Sequence, residues 1–344
     1  NIGNMNTQSV VDMKFMFSDC SSLTSLDLTK FDTSLVQYMN GMFYNCNFLI
    51  YLDLSSFNTE STKNMAFMFF RLSKLTSLYI TNFNTSNVEF MYYMFFGCES
   101  LLSLDILNFQ TDKIKSMDYM FTDCSSLHFL DLSNFRTEHV LSIDYLFKGC
   151  SSLNSIDISH FDTSSVTSFA YMFSGCNSLL QFDLEHFNTS SAITMEGLFC
   201  NCSSLYDLRI NNFKTNSVIN MDYMFSGCLN LTEIDINHFK TSLVKSMSYM
   251  FSNCISLNEV SMSQIDTSSL INISHMFENC ISLTSLKFPS FIDPSLVDID
   301  YIFTKSTNLF YLNMPNFNEY NISEYKNMFL GTKRNMVFCI NKKS

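Results

Sequence analysis

Seven aspartates, Asp27, Asp53, Asp105, Asp131, Asp157, Asp183 and Asp235, fall on a common 26-residue step. Each lies between two apolar residues of a short alternating segment, as in Leu26-Asp27-Leu28, so in a strand all of them take the outward face. At a strand spacing of about 4.8 Å, like charges repel by roughly 0.9 kcal/mol in water. A surface kept under that repulsion suits Ca²⁺ or a basic partner. The alternative is that each Asp closes its strand through local hydrogen bonds while water screens the charge. Tyr79, Arg209, Ser261, Lys287 and Asn313 interrupt the file, which argues against a continuous cation channel.

Three further columns carry chemistry. Tyr93, Tyr119, Tyr145, Tyr171, Tyr223, Tyr249 and Tyr301 share a register two residues after the Met39 slot, and a helical wheel puts them roughly opposite the apolar stripe. They read either as an interface file on the outer wall, since Tyr is favoured at interfaces, or as packing between successive helices. His160, His186 and His238 share a column at the strand end, the first two near Asp157 and Asp183. A transition-metal site and a polar capping role both fit, and the Asn found there in most other turns favours capping. Ten of the 12 cysteines lie on the step, with Leu72 and Ser306 in the skipped slots, so the slot is a core position. On a helical wall, neighbours stand about 8–10 Å apart, beyond the roughly 7 Å that a disulfide spans; free buried thiols follow. Cys200 and Cys339 stand off the ladder, in columns that otherwise hold exposed residues. They read as reactive thiols or as drift at a surface position.

For catalysis there is no phosphate-binding glycine loop, nucleophile elbow or His-Glu-x-x-His helix. Regular repetition argues against an active site, which needs one local exception. An enzyme is not expected. Asn84, Asn188, Asn201, Asn230, Asn272 and Asn321 begin glycosylation triplets, which arise readily in an Asn- and Ser-rich chain and prove no secretory route.

The elements behind these columns come from the repeat itself. Met-Phe pairs at 16, 42, 68, 94, 120, 172, 224, 250, 276 and 328 keep step, with Leu146-Phe147, Leu198-Phe199 and Ile302-Phe303 in the other slots. A fixed step without insertion requires one backbone path per turn, a stacked solenoid. In the turn from Leu23 to Leu49, alternation at Ser25 to Thr29 predicts a strand with Leu26 and Leu28 inward. Val36, Met39, Met42, Phe43, Cys46 and Leu49 then recur at spacings of three and four, which predicts a short helix. Thr33 and its equivalents, from Thr59 to Thr267, sit where an N-cap belongs. Phe31 and its equivalents, Phe57 to Phe239, then Phe291 and Phe317, fill the corner between strand and helix. Strands stack more closely than helices pack, so the solenoid is expected to curve.

Units such as Phe121-Thr-Asp-Cys-Ser-Ser-Leu-His-Phe-Leu-Asp-Leu-Ser-Asn-Phe-Arg-Thr137 resemble the BspA-type leucine-rich repeats of mycoplasma and other bacterial surface proteins, and the likeness covers nearly the whole chain. It weakens toward the C-terminus, where Lys287, Pro289, Pro294 and Pro315 replace the usual residues. The resemblance implies a surface-exposed or secreted protein, with several members acting as adhesins for host matrix proteins. The fold class that follows is α/β: a curved, right-handed leucine-rich-repeat superhelix with a concave parallel sheet and convex short helices. Residues 1–344 are expected to form a single solenoid domain of about thirteen repeats, with the parent protein continuing upstream.

The formal charge of −12 and the lack of clustered Lys and Arg, beyond Lys342-Lys343, exclude nucleic acid as an expected partner. No run of about 18 apolar residues exists to span a membrane. The leading expectation is a cell-surface or extracellular recognition protein binding a protein or glycan, with Ca²⁺ as a conceivable cofactor. The second is a structural solenoid that self-associates into a filament, lattice or matrix.

Overall fold

Alternation of the kind in Tyr51-Leu52-Asp53-Leu54 does produce strands. The computed structural model describes residues 5–290, 298–317, 327–333 and 335–339. In them the chain forms β1 (Tyr51–Asp53), β2 (Ser77–Tyr79), β3 (Phe129–Leu130), β4 (Ser155–Ile156), β5 (Gln181–Asp183), β6 (Asp207–Arg209), β7 (Glu233–Asp235), β8 (Glu259–Ser261), β9 (Ser285–Lys287), β10 (Tyr311–Asn313) and β11 (Val337–Cys339). Pairing is parallel and in register with the repeat: Leu52 faces Leu78, Phe182 faces Leu208, and Leu312 lies between Leu286 and Phe338. The architecture is a parallel β-solenoid. The chain divides into an N-terminal unit, Asn1–Val166 with Cys176–Ser178, and a C-terminal unit, Thr167–Gly175 with Leu179–Ser344. The corner residue Phe291, with Pro294 and Asn321, lies outside the described residues.

The expected helices are absent among the described residues, and the backbone shows why. Met39, Gly41, Phe43 and Asn45 each donate their N–H to a carbonyl of the next turn, those of Asn64, Ala66, Met68 and Phe70, at 2.8–3.0 Å. The intervening Met42, Tyr44 and Cys46 bond back within the turn to Met39, Gly41 and Phe43. Two residues per turn sit in the left-handed region. One column holds Gly41, Phe67 and the tyrosines, at φ of 53–59° for the latter. The other holds Asp19, Asn45, Gly97, Asp123, Gly149 and their equivalents. A positive φ at the third residue of an i→i+3 turn is the type II pattern and breaks any run of i→i+4 bonds. The spacing of three and four therefore records successive tight turns. Both walls are backbone-bonded ladders of successive turns.

The inward columns are as expected. Val36, Met39, Met42, Phe43, Cys46, Leu49, Leu52 and Leu54 are all fully buried. Phe43 and its equivalents stack as a spine within each unit, Phe17 to Phe147 and Phe173 to Phe329, with centroids 5.3–6.0 Å apart and planes within 15°. The threonines are not helix caps. Thr33 Oγ1 donates to the Asn58 carbonyl (2.9 Å) and accepts the Asn58 N–H (2.8 Å), and the same clasp joins Thr59 to Asn84 and Thr215 to Lys240. In these three clasps the buried hydroxyl satisfies two backbone groups of the following turn.

The turn-wall ladder has one local exception in the N-terminal unit. Met65 N–H donates to the Phe90 carbonyl and Met117 N–H to that of Ser142, while Glu89 N–H donates to Lys63 and Leu141 N–H to Lys115. The corresponding bonds from Met91 to Ser116 and from Lys115 to Glu89 are not made, and the bridge series Asp12–Tyr38–Asn64–Phe90 stops there before Ser116–Ser142 begins.

Candidate functional site

The aspartate file lies on the outward strand face. Asp27, Asp105, Asp157, Asp183 and Asp235 are exposed, and Asp53 and Asp131 half-buried. In each, Oδ1 accepts the backbone N–H two residues on, at 2.9–3.0 Å for Thr29, Ser55, Ser133, Ser159, Glu185 and Asn237 and 3.3 Å for Leu107. Hydrogen bonds to the ionised form, first from the Thr29 and Ser55 hydroxyls and then from their N–H groups, hold Asp27 and Asp53 below the usual carboxylate range, and the Ser133 N–H and then its hydroxyl do the same for Asp131. Local closure of the strand therefore occupies one oxygen of each aspartate. Asp157 pushes on Asp131 with the opposite sign, so charges on neighbouring turns sense one another. In the C-terminal unit Arg209 sits 3.7 Å from Asp183 and 3.9 Å from Asp207 and dilutes the file. Among the described residues no group of three or more His, Cys, Asp or Glu is arranged to hold a metal.

The tyrosine column is a stack, not a helix face. Tyr93, Tyr119 and Tyr145 lie 4.3 and 4.4 Å apart with planes 7° from parallel. Tyr223, Tyr249, His275 and Tyr301 continue likewise in the C-terminal unit, at 4.2–4.8 Å. All are half-buried, with ring edges rather than faces outward. Burial and the neighbouring Tyr119 push the Tyr93 hydroxyl up to about 12. Gly197 takes the place between Tyr171 and Tyr223, and a Cβ there would lie 2.3 Å from the Tyr171 ring, which has folded into the space.

The remaining columns are structural. His160 and His238 bond through Nε2 to the Leu132 and Ile210 carbonyls one turn back, at 2.8 and 3.1 Å, and Asn82 Nδ2 bonds to the Ser55 carbonyl in the same manner. All twelve cysteines are free. The ladder thiols donate to the Phe carbonyl of the preceding turn, Cys46 to Phe17 at 2.9 Å and Cys254 to Phe225 at 3.1 Å, and Ser306 Oγ does the same to Phe277 at 2.6 Å. That shared bond explains a small donor in the slot, and burial pushes Cys98, Cys150 and Cys254 up to about 12, which keeps them protonated. The expected 8–10 Å separation rested on helices and falls with them. Cys200, expected on the surface, is 8% exposed, because its column carries the buried Thr122, Ser174 and Ser226.

One acidic feature escaped the sequence reading. Glu196 and Asp222 sit one turn apart on the turn wall of the C-terminal unit. Glu196 accepts from Tyr171 Oη (3.0 Å) and Asn220 Nδ2 (3.1 Å), and Asp222 from Ser246 Oγ (2.5 Å) and Ser248 N–H (2.7 Å). Burial, with a smaller push from Glu196, raises the Asp222 carboxyl. The signal was available as Asp118, Asp144, Glu196, Asp222 and Asp300 on the common step.

Three of the solved structures similar to the chain are all of low identity. A leucine-rich repeat protein from Bacteroides ovatus is 18% identical over 90% of this chain and 88% of that one, with a TM-score of 0.42. A leucine rich cell surface protein from Faecalibacterium prausnitzii is 16% identical over 90% and 77%, also at 0.42. A leucine-rich repeat protein from Eubacterium ventriosum is 15% identical over 88% and 76%, at 0.40. No curated protein matches the chain. No helix of the described residues is long and apolar enough to cross a membrane. A family model described as "Mycoplasma protein of unknown function, DUF285" matches residues 1–79, 46–130, 127–234, 180–291 and 229–338. The matches run through nearly every turn of the solenoid, and the chain belongs to this mycoplasma repeat family.

Proposed function

We propose that the chain is a non-enzymatic recognition solenoid, displayed at the cell surface or secreted, that binds a protein or glycan. The observation that carries this reading is a division of roles along each turn. Inward columns repeat one core and hold the backbone constant, while the outward strand positions are exposed or half-buried and change at intervals, as from Asp53 to Tyr79 to Asp105 and from Asp183 to Arg209 to Asp235. Constant scaffolding beneath a variable face is what a binding surface requires. In this reading the aspartates, Asp27 to Asp157 in the N-terminal unit and Asp183 and Asp235 in the C-terminal unit, give each unit a negative strand face for a basic partner, and the edges of the tyrosine files give a second, amphipathic strip on each turn wall.

Sedimentation of the purified chain separates recognition from assembly. A species whose mass is independent of concentration supports recognition, and polymers growing with concentration support a structural solenoid. Binding of an oligolysine peptide to the chain and to an Asp131→Asn, Asp157→Asn variant tests the strip. Weaker binding by the variant, with unchanged thermal unfolding, is expected; equal binding removes the aspartates from the proposed site.

A further inference from the structure

On the turn wall of the N-terminal unit, three departures from the repeat coincide. Phe90, 45% exposed, occupies a column that holds Asn64 and Ser116 on the neighbouring turns, with Tyr38 and Ser142 one turn further on either side. Tyr92 stands where Ala66, Asp118 and Asp144 stand. Between the Phe90 and Ser116 turns, the two backbone bonds found elsewhere in this ladder are missing. A gap in a backbone ladder is held against a cost, so it is a feature to be explained.

A cleft of about 300 Å³ opens at this place, lined by Glu89, Phe90, Tyr92, Lys113, Lys115 and Ser116. Its two rings differ from those of the tyrosine file. Phe90 meets Tyr92 at 81°, and Tyr92 meets Phe67 and Tyr93 at 90° and 84°, so neither ring is sandwiched between parallel neighbours as Tyr119 is. Both lysines are exposed, in a chain of net charge −12. Lys113 Nζ donates to the Asn87 side-chain oxygen (2.7 Å), and among the described residues neither lysine has a carboxylate within ion-pair distance. The rim therefore carries two lysine ammoniums beside the single carboxylate of Glu89.

We infer that this cleft binds an acidic sugar, a pyranose bearing a carboxylate. The inference rests on the recognition reading above and names its glycan class. Two unsandwiched rings accept the C–H face of a pyranose, and the lysine ammoniums pair with its carboxylate through charge-assisted bonds. The Glu89 carboxylate and the Ser116 hydroxyl take its hydroxyl groups, which need acceptors as well as donors. An acidic peptide such as oligoglutamate has no hydroxyls to offer Glu89. The volume stands at the lower end of ligand cavities, which suits one or two sugar rings.

The experiment uses the full chain and three probes, by calorimetry and ligand-observed NMR. These are a tetrasaccharide of alternating glucuronate and N-acetylglucosamine, the uncharged tetrasaccharide of N-acetylglucosamine, and an acetylated tetraglutamate peptide. Saturable binding of the first is expected, at least tenfold tighter than of the other two. It should weaken at least tenfold in a Lys113→Gln, Lys115→Gln variant and in Phe90→Ser, which restores the residue type that neighbouring turns carry and so keeps the fold. Equal binding of the uncharged sugar or the peptide overturns the inference, as do unchanged affinity in the variants and failure of the acidic sugar to bind. If the oligolysine test on the strand face succeeds while the acidic sugar fails, only this inference is lost.

Discussion

The turn walls of the two units share a backbone and differ in what they carry on it. In the N-terminal unit two aromatic files run side by side, Phe67–Tyr93–Tyr119–Tyr145 and Tyr44–Phe70–Phe96, the second with rings 4.6 and 4.8 Å apart. In the C-terminal unit only the first file continues, from Tyr223 to Tyr301, and beside it stand Ser174, Cys200, Ser226 and Ser252. The bridge series breaks between Phe90 and Ser116 in one unit and runs from Ser168 through Thr194, Asn220, Ser246 and Asn272 to Asp298 in the other. Beneath both walls the phenylalanine spine is the same. Core columns thus set the turn, and outer columns are free to depart from it, so the departures are where function is to be sought.

The comparison breaks if the shared core is not energetically shared. Phe95→Ala in the N-terminal unit and Phe225→Ala in the C-terminal unit each remove a fully buried ring stacked on both sides. Each is expected to cost about 3–5 kcal/mol in chemical denaturation of the unit that carries it. A large cost in one unit and almost none in the other would show that the spines are not equivalent.

A smaller effect sharpens the contrast on the turn wall. The Asp222 carboxyl is raised by burial and then by Glu196, so folding favours its protonated form. That contribution is present below the ordinary carboxylate value of 3.8 and is lost as pH rises through the folded value. At neutral pH Asp222→Asn is therefore expected to stabilise the C-terminal unit, since the amide oxygen still accepts from Ser246 and Ser248. The gain should shrink toward zero in acid, as read by thermal unfolding across pH. A variant less stable at pH 7 would contradict the direction of this shift.

Much of this was legible in the residues. The 26-residue step, the buried columns at Met39, Met42, Phe43 and Cys46, the strand at Leu52 and the outward aspartates follow from periodicity and alternation alone. The secondary structure of the second wall did not, because a stripe at three and four is satisfied equally by a helix and by successive tight turns. The deciding signal was the Asp, Asn and Gly at 19, 45, 97, 123 and 149, residues that tolerate positive φ. It was masked by the tyrosines in the companion column, a type rarely placed there, whose cost is offset by stacking on the next turn. The cleft at Phe90 was visible only as a departure from its column, and its open ladder required coordinates.

The central claim, that the turn wall is a ladder of tight turns with two residues per turn at positive φ rather than a row of helices, is tested most directly at Tyr119. Tyr119→Gly and Tyr119→Ala both remove the stacked ring, and they differ only in what the backbone requires. At a φ of 59° glycine should be the more stable of the two, by about 1–2 kcal/mol. In a helix the order reverses, with alanine ahead by about 1 kcal/mol, and that result would contradict the account.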